Sequence, residues 1–157
     1  PYYVKQYNGR WFVYGLNDEL GVISNFALDR IQDFHKSAIP FKKNTICDFA
    51  TYFDDVIGAI IPNDDVAKEA IGLRFAANRF PYVVSKPLHK SQIVKNKDQY
   101  EIEIHVRPTR ELDQQILSFI PDIEVIYPEW YRQQILGKIT ENLNKYTSGK
   151  IDCTDNV

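Results

Sequence analysis

Residues 9–31, Gly-Arg-Trp-Phe-Val-Tyr-Gly-Leu-Asn-Asp-Glu-Leu-Gly-Val-Ile-Ser-Asn-Phe-Ala-Leu-Asp-Arg-Ile, decide the fold of the first part of this chain. Residues 2–7 before them are rich in aromatic and β-branched side chains, and Asn8-Gly9 is a two-residue hairpin signal, since both residues tolerate positive φ. Residues 11–16 supply a second strand, 17–21 a polar turn and 22–28 a third strand. The expectation is a three-strand meander that closes on Arg30. Successive strand residues alternate in direction, so Trp11 and Val13 are expected on one face and Phe12 and Tyr14 on the other.

Working outward, the strand pattern stops after Ile31. Phe49, Tyr52, Phe53, Val56 and Ile57 recur at helical spacing before Gly58, which predicts a short amphipathic helix over 48–58 packed on the meander. Ile61-Pro62-Asn63-Asp64-Asp65 has the composition of a linker and sets a domain boundary near residue 65. Strand and helix patterns then take turns. Residues 66–75 end in a strand and 77–84 form a short helix. Residues 100–106 alternate Tyr100, Ile102, Ile104 and Val106 against Glu101, Glu103 and His105, as in a sheet with one wet face. Thr109 caps a helix with Leu112, Ile116, Leu117 and Ile120 on one stripe, which Pro121 ends. Residues 123–127 read as a strand. Pro128 opens a long final helix whose face carries Tyr131, Ile135, Leu136, Ile139 and Leu143. Residues 148–157 read as a frayed polar end.

Two landmarks in the opening stretch resemble those of a known family. Trp11-Phe12-Val13 stands where the WYL domain has its Trp-Tyr-Leu triplet, and Leu28-Asp29-Arg30-Ile31 is that family's second landmark, unaltered. The pattern of the second half resembles the WCX extension that commonly follows WYL domains. The resemblance implies an α+β architecture: a truncated SH3-like or Sm-like barrel with a connecting helix over 1–65, a ferredoxin-like αβ domain over 66–146 that helps the protein dimerise, and a polar tail over 147–157. It also implies a transcriptional regulator of bacterial type. The start at Pro1 and the lack of methionine are expected of a piece of a longer polypeptide, with barrel strands and a DNA-binding module upstream.

Composition bounds the function classes. At 44% hydrophobic and 25% charged, the 157 residues suit an ordinary globular protein with a substantial core. No run of 18 apolar residues and no basic-then-apolar leader occurs, so a membrane span and a secretory signal lack support and the expected location is the cytoplasm. Cys47 and Cys153 have no Cys-x-x-Cys partners and read as free thiols. The net charge of −2 is unevenly spread: residues 1–47 hold six basic and four acidic side chains, 48–66 none and five, 67–107 eight and four, 108–157 five and eight. Two segments are therefore mildly basic. A solvated mixed surface is their ordinary reading, and contact with a phosphate backbone is the alternative.

Arg30 is the leading candidate for chemistry. A guanidinium near Trp11 or Phe12 offers a planar fork of five donors beside an aromatic face, which suits a phosphate or a stacked base. The structural alternative is a pair with Asp29 or with a helix C-terminus that only supports the fold. The family resemblance favours the ligand role, because this arginine belongs there to a basic patch that senses nucleic acid or nucleotides. Ser24 and Ala27 stand where relatives often have further arginines, and Lys5 and Arg10 on neighbouring strands are the compensating cations. Trp11, Phe12 and Tyr14, with Tyr2, Tyr3 and Tyr7, form an aromatic-rich sheet on which single strands could stack, although at least half of them belong to the core. Lys86, His89, Lys90, Lys95 and Lys97 read as a basic loop. His35, His89 and His105 share no metal-ligand spacing, the pairs Asp54-Asp55 and Asp64-Asp65 do not converge, and no phosphate loop or nucleophile motif is present. No enzyme activity, cofactor or metal is expected. The expected partners are a nucleic-acid or nucleotide ligand and a second copy of the chain; the rival expectation is a plain oligomerisation module with a vestigial ligand site.

Overall fold

The computed structural model describes residues 1–63 and 65–148. They form a mixed α/β protein with two antiparallel sheets and three α-helices. The described chain divides into two compact units, residues 1–68 with 107–112, and residues 69–106 with the described residues from 113.

The first unit is built on the expected meander: β1 (Tyr3–Tyr7), β2 (Arg10–Asn17) and β3 (Val22–Ala27), in the order β1-β2-β3. Asn8 and Gly9 turn the first hairpin at φ 47° and 76°, the left-handed region that their sequence signal implied. Register sets Tyr3 opposite Tyr14 and Lys5 opposite Phe12, so these four share one face. Val4, Val13 and Phe26 line up across the other face, with Trp11 beside them. The sheet has three strands and does not close into a barrel.

The helix expected over 48–58 is absent; residues 49–55 are successive turns. Asp48 opens the first turn as it would a helix, its carboxylate accepting the Ala50 N–H at 2.9 Å and its carbonyl the Tyr52 N–H at 2.9 Å, but the helix is not continued. The aromatic run also has a better use. Phe49 stacks on Tyr3 with ring centroids 4.8 Å apart, and Phe53 meets Tyr14 edge-on at 5.0 Å. These contacts, each about 0.5–1.5 kcal/mol beyond simple burial, reward turns that aim both rings at the sheet. Residues 58–60 are pinned from three directions. Tyr14 donates its hydroxyl to the Ala59 carbonyl at 2.6 Å, Lys5 donates to the Gly58 carbonyl at 2.6 Å, and Glu111 accepts the Ala59 and Ile60 N–H groups at 2.8 Å each. The stretch read as a linker is held too: the Arg107 guanidinium donates to the carbonyls of Pro62, Asn63 and Val66. Asp64 lies outside the described residues.

The second unit holds β4 (Glu69–Phe75), α1 (Phe80–Ser85), β5 (Ile93–Asn96), β6 (Glu101–Val106), β7 (Ile123–Tyr127) and α3 (Glu129–Ser148). The helix α2 (Arg110–Leu117) starts in the first unit and continues into the second. As expected, Thr109 caps it, its Oγ1 accepting the Leu112 N–H at 3.3 Å. The sheet runs β5-β6-β4-β7 with every neighbouring pair antiparallel. Ile71, Leu73, Ile102, Ile104 and Val106 are fully buried on one face, with Val83, Ile116 and Tyr131 from the helices also buried. At roughly 1.5–3 kcal/mol for each large apolar side chain, they dominate the stability of this unit.

Three expectations change here. Residues 86–97 are not wholly loop, since Ile93–Asn96 form the edge strand β5; Lys95 follows its apolar pair, a usual guard on an exposed edge. The alternating strand is not wet at every polar position, because Glu103 is only 8% exposed. The final helix buries Tyr131 and Ile135, while Leu136, Ile139 and Leu143 are exposed. Of the expected polar tail, Thr147 and Ser148 belong to α3; residues 149–157, with Cys153, lie outside the described residues.

Candidate ligand site at the end of the meander

β3 ends at Ala27, opposite Phe12, and the chain tightens into a single 3-10 turn over Leu28–Arg30 that Ile31 closes by donating its N–H to the Leu28 carbonyl at 3.3 Å. Arg30 therefore sits on a turn rather than on the strand. Its side chain is exposed and makes no hydrogen bond or ion pair among the described residues. Asp29, the partner that the structural alternative gave it, is taken instead by Arg10, with Nη2 and Oδ2 3.1 Å apart. Next to this turn an open groove of about 450 Å³ is lined by Asn8, Gly9, Arg10, Trp11, Leu28 and Asp29. Trp11 is 49% exposed there, a large aromatic surface that the fold leaves uncovered.

The six candidate residues thus separate. Arg10 and Trp11 meet in the groove, and Arg30 follows its last lining residue in the chain. Lys5, Phe12 and Tyr14 share the face that packs on residues 49–59. The Lys5 ammonium lies 3.8 Å from the centre of the Phe53 ring, and burial lowers its pKa while the Glu111 charge pulls the other way. Burial, and then the Glu111 charge, raise the Tyr14 hydroxyl above the ordinary phenol range. Both groups hold the fold through the carbonyls of Gly58 and Ala59. Ser24 and Ala27 are three apart in β3 and so face opposite ways; cations at those positions would not make one patch.

Asn8, Gly9, Leu28 and Asp29 complete the groove and were not singled out as site residues. The hairpin signal already placed the first two at the sheet's end, but no local pattern says that the chain after β3 turns back beside them.

A second polar cluster lies on the open face of the other sheet. The Glu103 carboxylate accepts the Tyr127 hydroxyl at 2.6 Å, meets His105 Nε2 at 2.8 Å and lies 3.3 Å from Lys95. The Tyr127 hydrogen bond is the largest cause that holds Glu103 below the usual carboxylate range. Burial, and then this same bond, push Tyr127 up to about 12. The ring reaches across β4 because the position beneath it is Gly72, where a Cβ would come within 2.3 Å of Tyr127 Cε1. The basic loop expected near this cluster contributes Lys95. Among the described residues no group of His, Cys, Asp or Glu side chains is arranged to hold a metal ion. None of the described helices is long and apolar enough to cross a membrane.

The sheet order, the polar alternation of β6 and the capped helix all fall within a segment that one family model matches. Residues 67–141 match the WCX domain. The WCX match begins two residues before β4 and ends within α3. WCX is a domain found with WYL-type regulators. No curated protein matches the chain.

Proposed function

We propose that the chain is the ligand-sensing and dimerising part of a WYL-type transcriptional regulator of the cytoplasm, without enzymatic activity, and that an anionic ligand of nucleic-acid or nucleotide type binds beside Arg30. The observation that carries this reading is the WCX match over residues 67–141, downstream of a meander ending in Leu28-Asp29-Arg30-Ile31. The Arg30 guanidinium, unpaired among the described residues, and the half-exposed Trp11 support it further, since one supplies a phosphate fork and the other a stacking surface. On the finer fold, the meander is read as part of an SH3-like barrel over residues 1–65. The order β5-β6-β4-β7, with a helix after its first and third strands in sequence, supports a ferredoxin-like reading of residues 66–146. The ligand acts by binding one arrangement of the regulator better than another.

A second reading, an oligomerisation module with a vestigial ligand site, draws on two contacts: Lys5 is engaged by Gly58, and Arg10 is neutralised by Asp29. Fluorescence anisotropy with a labelled oligothymidylate decides between them, run across a salt series on the chain and its Arg30→Ala variant. Binding that weakens with salt and with loss of Arg30 is the expected result. An oligothymidylate and a cyclic dinucleotide that both fail to bind would leave the oligomerisation reading.

A further inference from the structure

α3 spans 20 residues, about 30 Å of helix, yet only its first turns are covered. Past Ile135, the apolar residues Leu136, Ile139, Leu143 and Tyr146 are 50%, 37%, 58% and 82% exposed. Their spacing of three, four and three residues gathers them on one stripe about 80° wide, the a and d positions of a heptad. Residues beside this seam, Gln133, Thr140, Asn142 and Thr147, carry no charge. Between Leu136 and Tyr146 the charged ones lie off it, with Lys145 paired to Glu141 at 3.1 Å and Lys138 to Asp113 at 3.4 Å; Arg132, on the same line before Ile135, pairs with Glu124 at 2.7 Å. At the stripe's inner border a groove of about 130 Å³, lined in part by Ile116, Ile120, Ile123, Leu136 and Ile139, extends the apolar surface.

The pattern identifies its occupant by symmetry. A two-fold interface needs one patch that complements itself, and the spacing of the stripe reads the same in reverse. Turned end for end about Glu141, a second α3 sets Leu136 against Tyr146 and Ile139 against Leu143, the a-to-d layering of an antiparallel pair. Charges beside the seam would have to be matched across it, and the neutral flanks remove that requirement.

We propose that α3 pairs antiparallel with α3 of a second copy through Leu136, Ile139, Leu143 and Tyr146, with Ile120 at the rim. This rests on the dimerising part of the proposed function and assigns it a surface. Few side chains take part compared with the 20–30 residues a side of a standard interface. The pair is therefore weak, with a dissociation constant on the order of micromolar or higher.

Sedimentation velocity of the chain, from low-micromolar to near-millimolar concentration, is compared with Leu143→Glu, whose exposed position lets the variant fold, as circular dichroism checks. The wild type is expected to self-associate and Leu143→Glu to weaken the dimer about tenfold or more. For the orientation, Ile139→Cys and Leu143→Cys are made in a Cys47→Ser, Cys153→Ser background and oxidised alone and mixed; the mixed disulfide is expected to form fastest. A dimer that Leu143→Glu leaves intact overturns the α3 seam while the dimerising reading stands. A chain that stays monomeric throughout overturns both, and faster coupling of Ile139→Cys to itself overturns the antiparallel arrangement.

Discussion

The Glu111 carboxylate accepts the backbone N–H of Ala59 at 2.8 Å across 52 residues of sequence, and the same oxygen accepts the N–H of Ile60. Glu111 is 7% exposed, so the two donors are what makes a carboxylate tolerable there. Replacing it with alanine strands both N–H groups, at a cost of about 2–3 kcal/mol. Glu111→Gln keeps an acceptor oxygen and loses less. Urea unfolding of both variants tests this; equal losses would mean that the negative charge, and not the acceptor oxygen, carries the contribution.

Gly58 supplies a second test of the same corner. Its φ is +109°, and an added Cβ would lie 2.1 Å from Glu111 Oε2. Gly58→Ala is therefore strained both in its backbone and against the carboxylate, and is expected to cost more than about 1 kcal/mol. In a Glu111→Ala background the clash with the carboxyl group disappears and only the 2.9 Å contact with the Cβ remains, so a double-mutant cycle will show coupling between the two positions.

Lys5 illustrates a cation turned inward. Its pKa is lowered, chiefly by burial, from the ordinary 10.5. Below the folded-state value the ammonium is charged in both states and the burial cost is present in full; as pH rises from there towards 10.5 the folded state releases its proton first, and stability gains. The stability of wild type relative to Lys5→Met is thus expected to rise with pH across that window. Buried tyrosines titrate alike in both proteins and cancel in the difference. A flat difference would refute the inward placement, as would loss of oligothymidylate binding in Lys5→Met.

Glu103 predicts a slope of the same sign at the acid end. Its pKa is held below 4.5, first by the Tyr127 hydroxyl, so the cluster stabilises the fold above that pH and the contribution is lost as pH falls through the folded-state value. Tyr127→Phe is expected to lose about 1–2 kcal/mol at neutral pH, with the gap to wild type closing in acid. Gly72→Ala displaces the same ring and should raise the Glu103 pKa in the same way, measurable by carbon-detected carboxylate titration.

Arg30→Ala is expected to change stability by no more than about 0.5 kcal/mol, because the side chain is exposed and unpaired among the described residues. Thermal melts would test this. A larger loss would assign Arg30 to the fold and weaken the ligand reading.

Periodicity and turn chemistry made much of this fold legible. Asn8-Gly9 specifies its own φ values, the period of two in residues 101–106 specifies a buried apolar face, and Thr109 specifies where α2 starts. These are local preferences, set by sterics and by groups only a few residues apart. The candidate site was legible in part for the same reason. Arg10 and Trp11 fall at the sheet's end by register alone, but strand alternation could not say that Lys5 faces a carbonyl 53 residues away.

What the sequence by itself determined about this protein are the elements whose hydrogen bonds close within a few residues: the meander, the capped helix and the alternating strand. Tertiary structure alone decided that residues 49–55 form turns instead of a helix, because Tyr3 and Tyr14 from a distant hairpin offer aromatic contacts that outweigh a weak helical preference. It also decided that Asp29 pairs with Arg10 and leaves Arg30 without a partner among the described residues, and that α3 keeps Leu136, Ile139 and Leu143 exposed among them. Each of those outcomes depends on which surfaces meet in space, and a hydrophobic period fixes only which residues share a face.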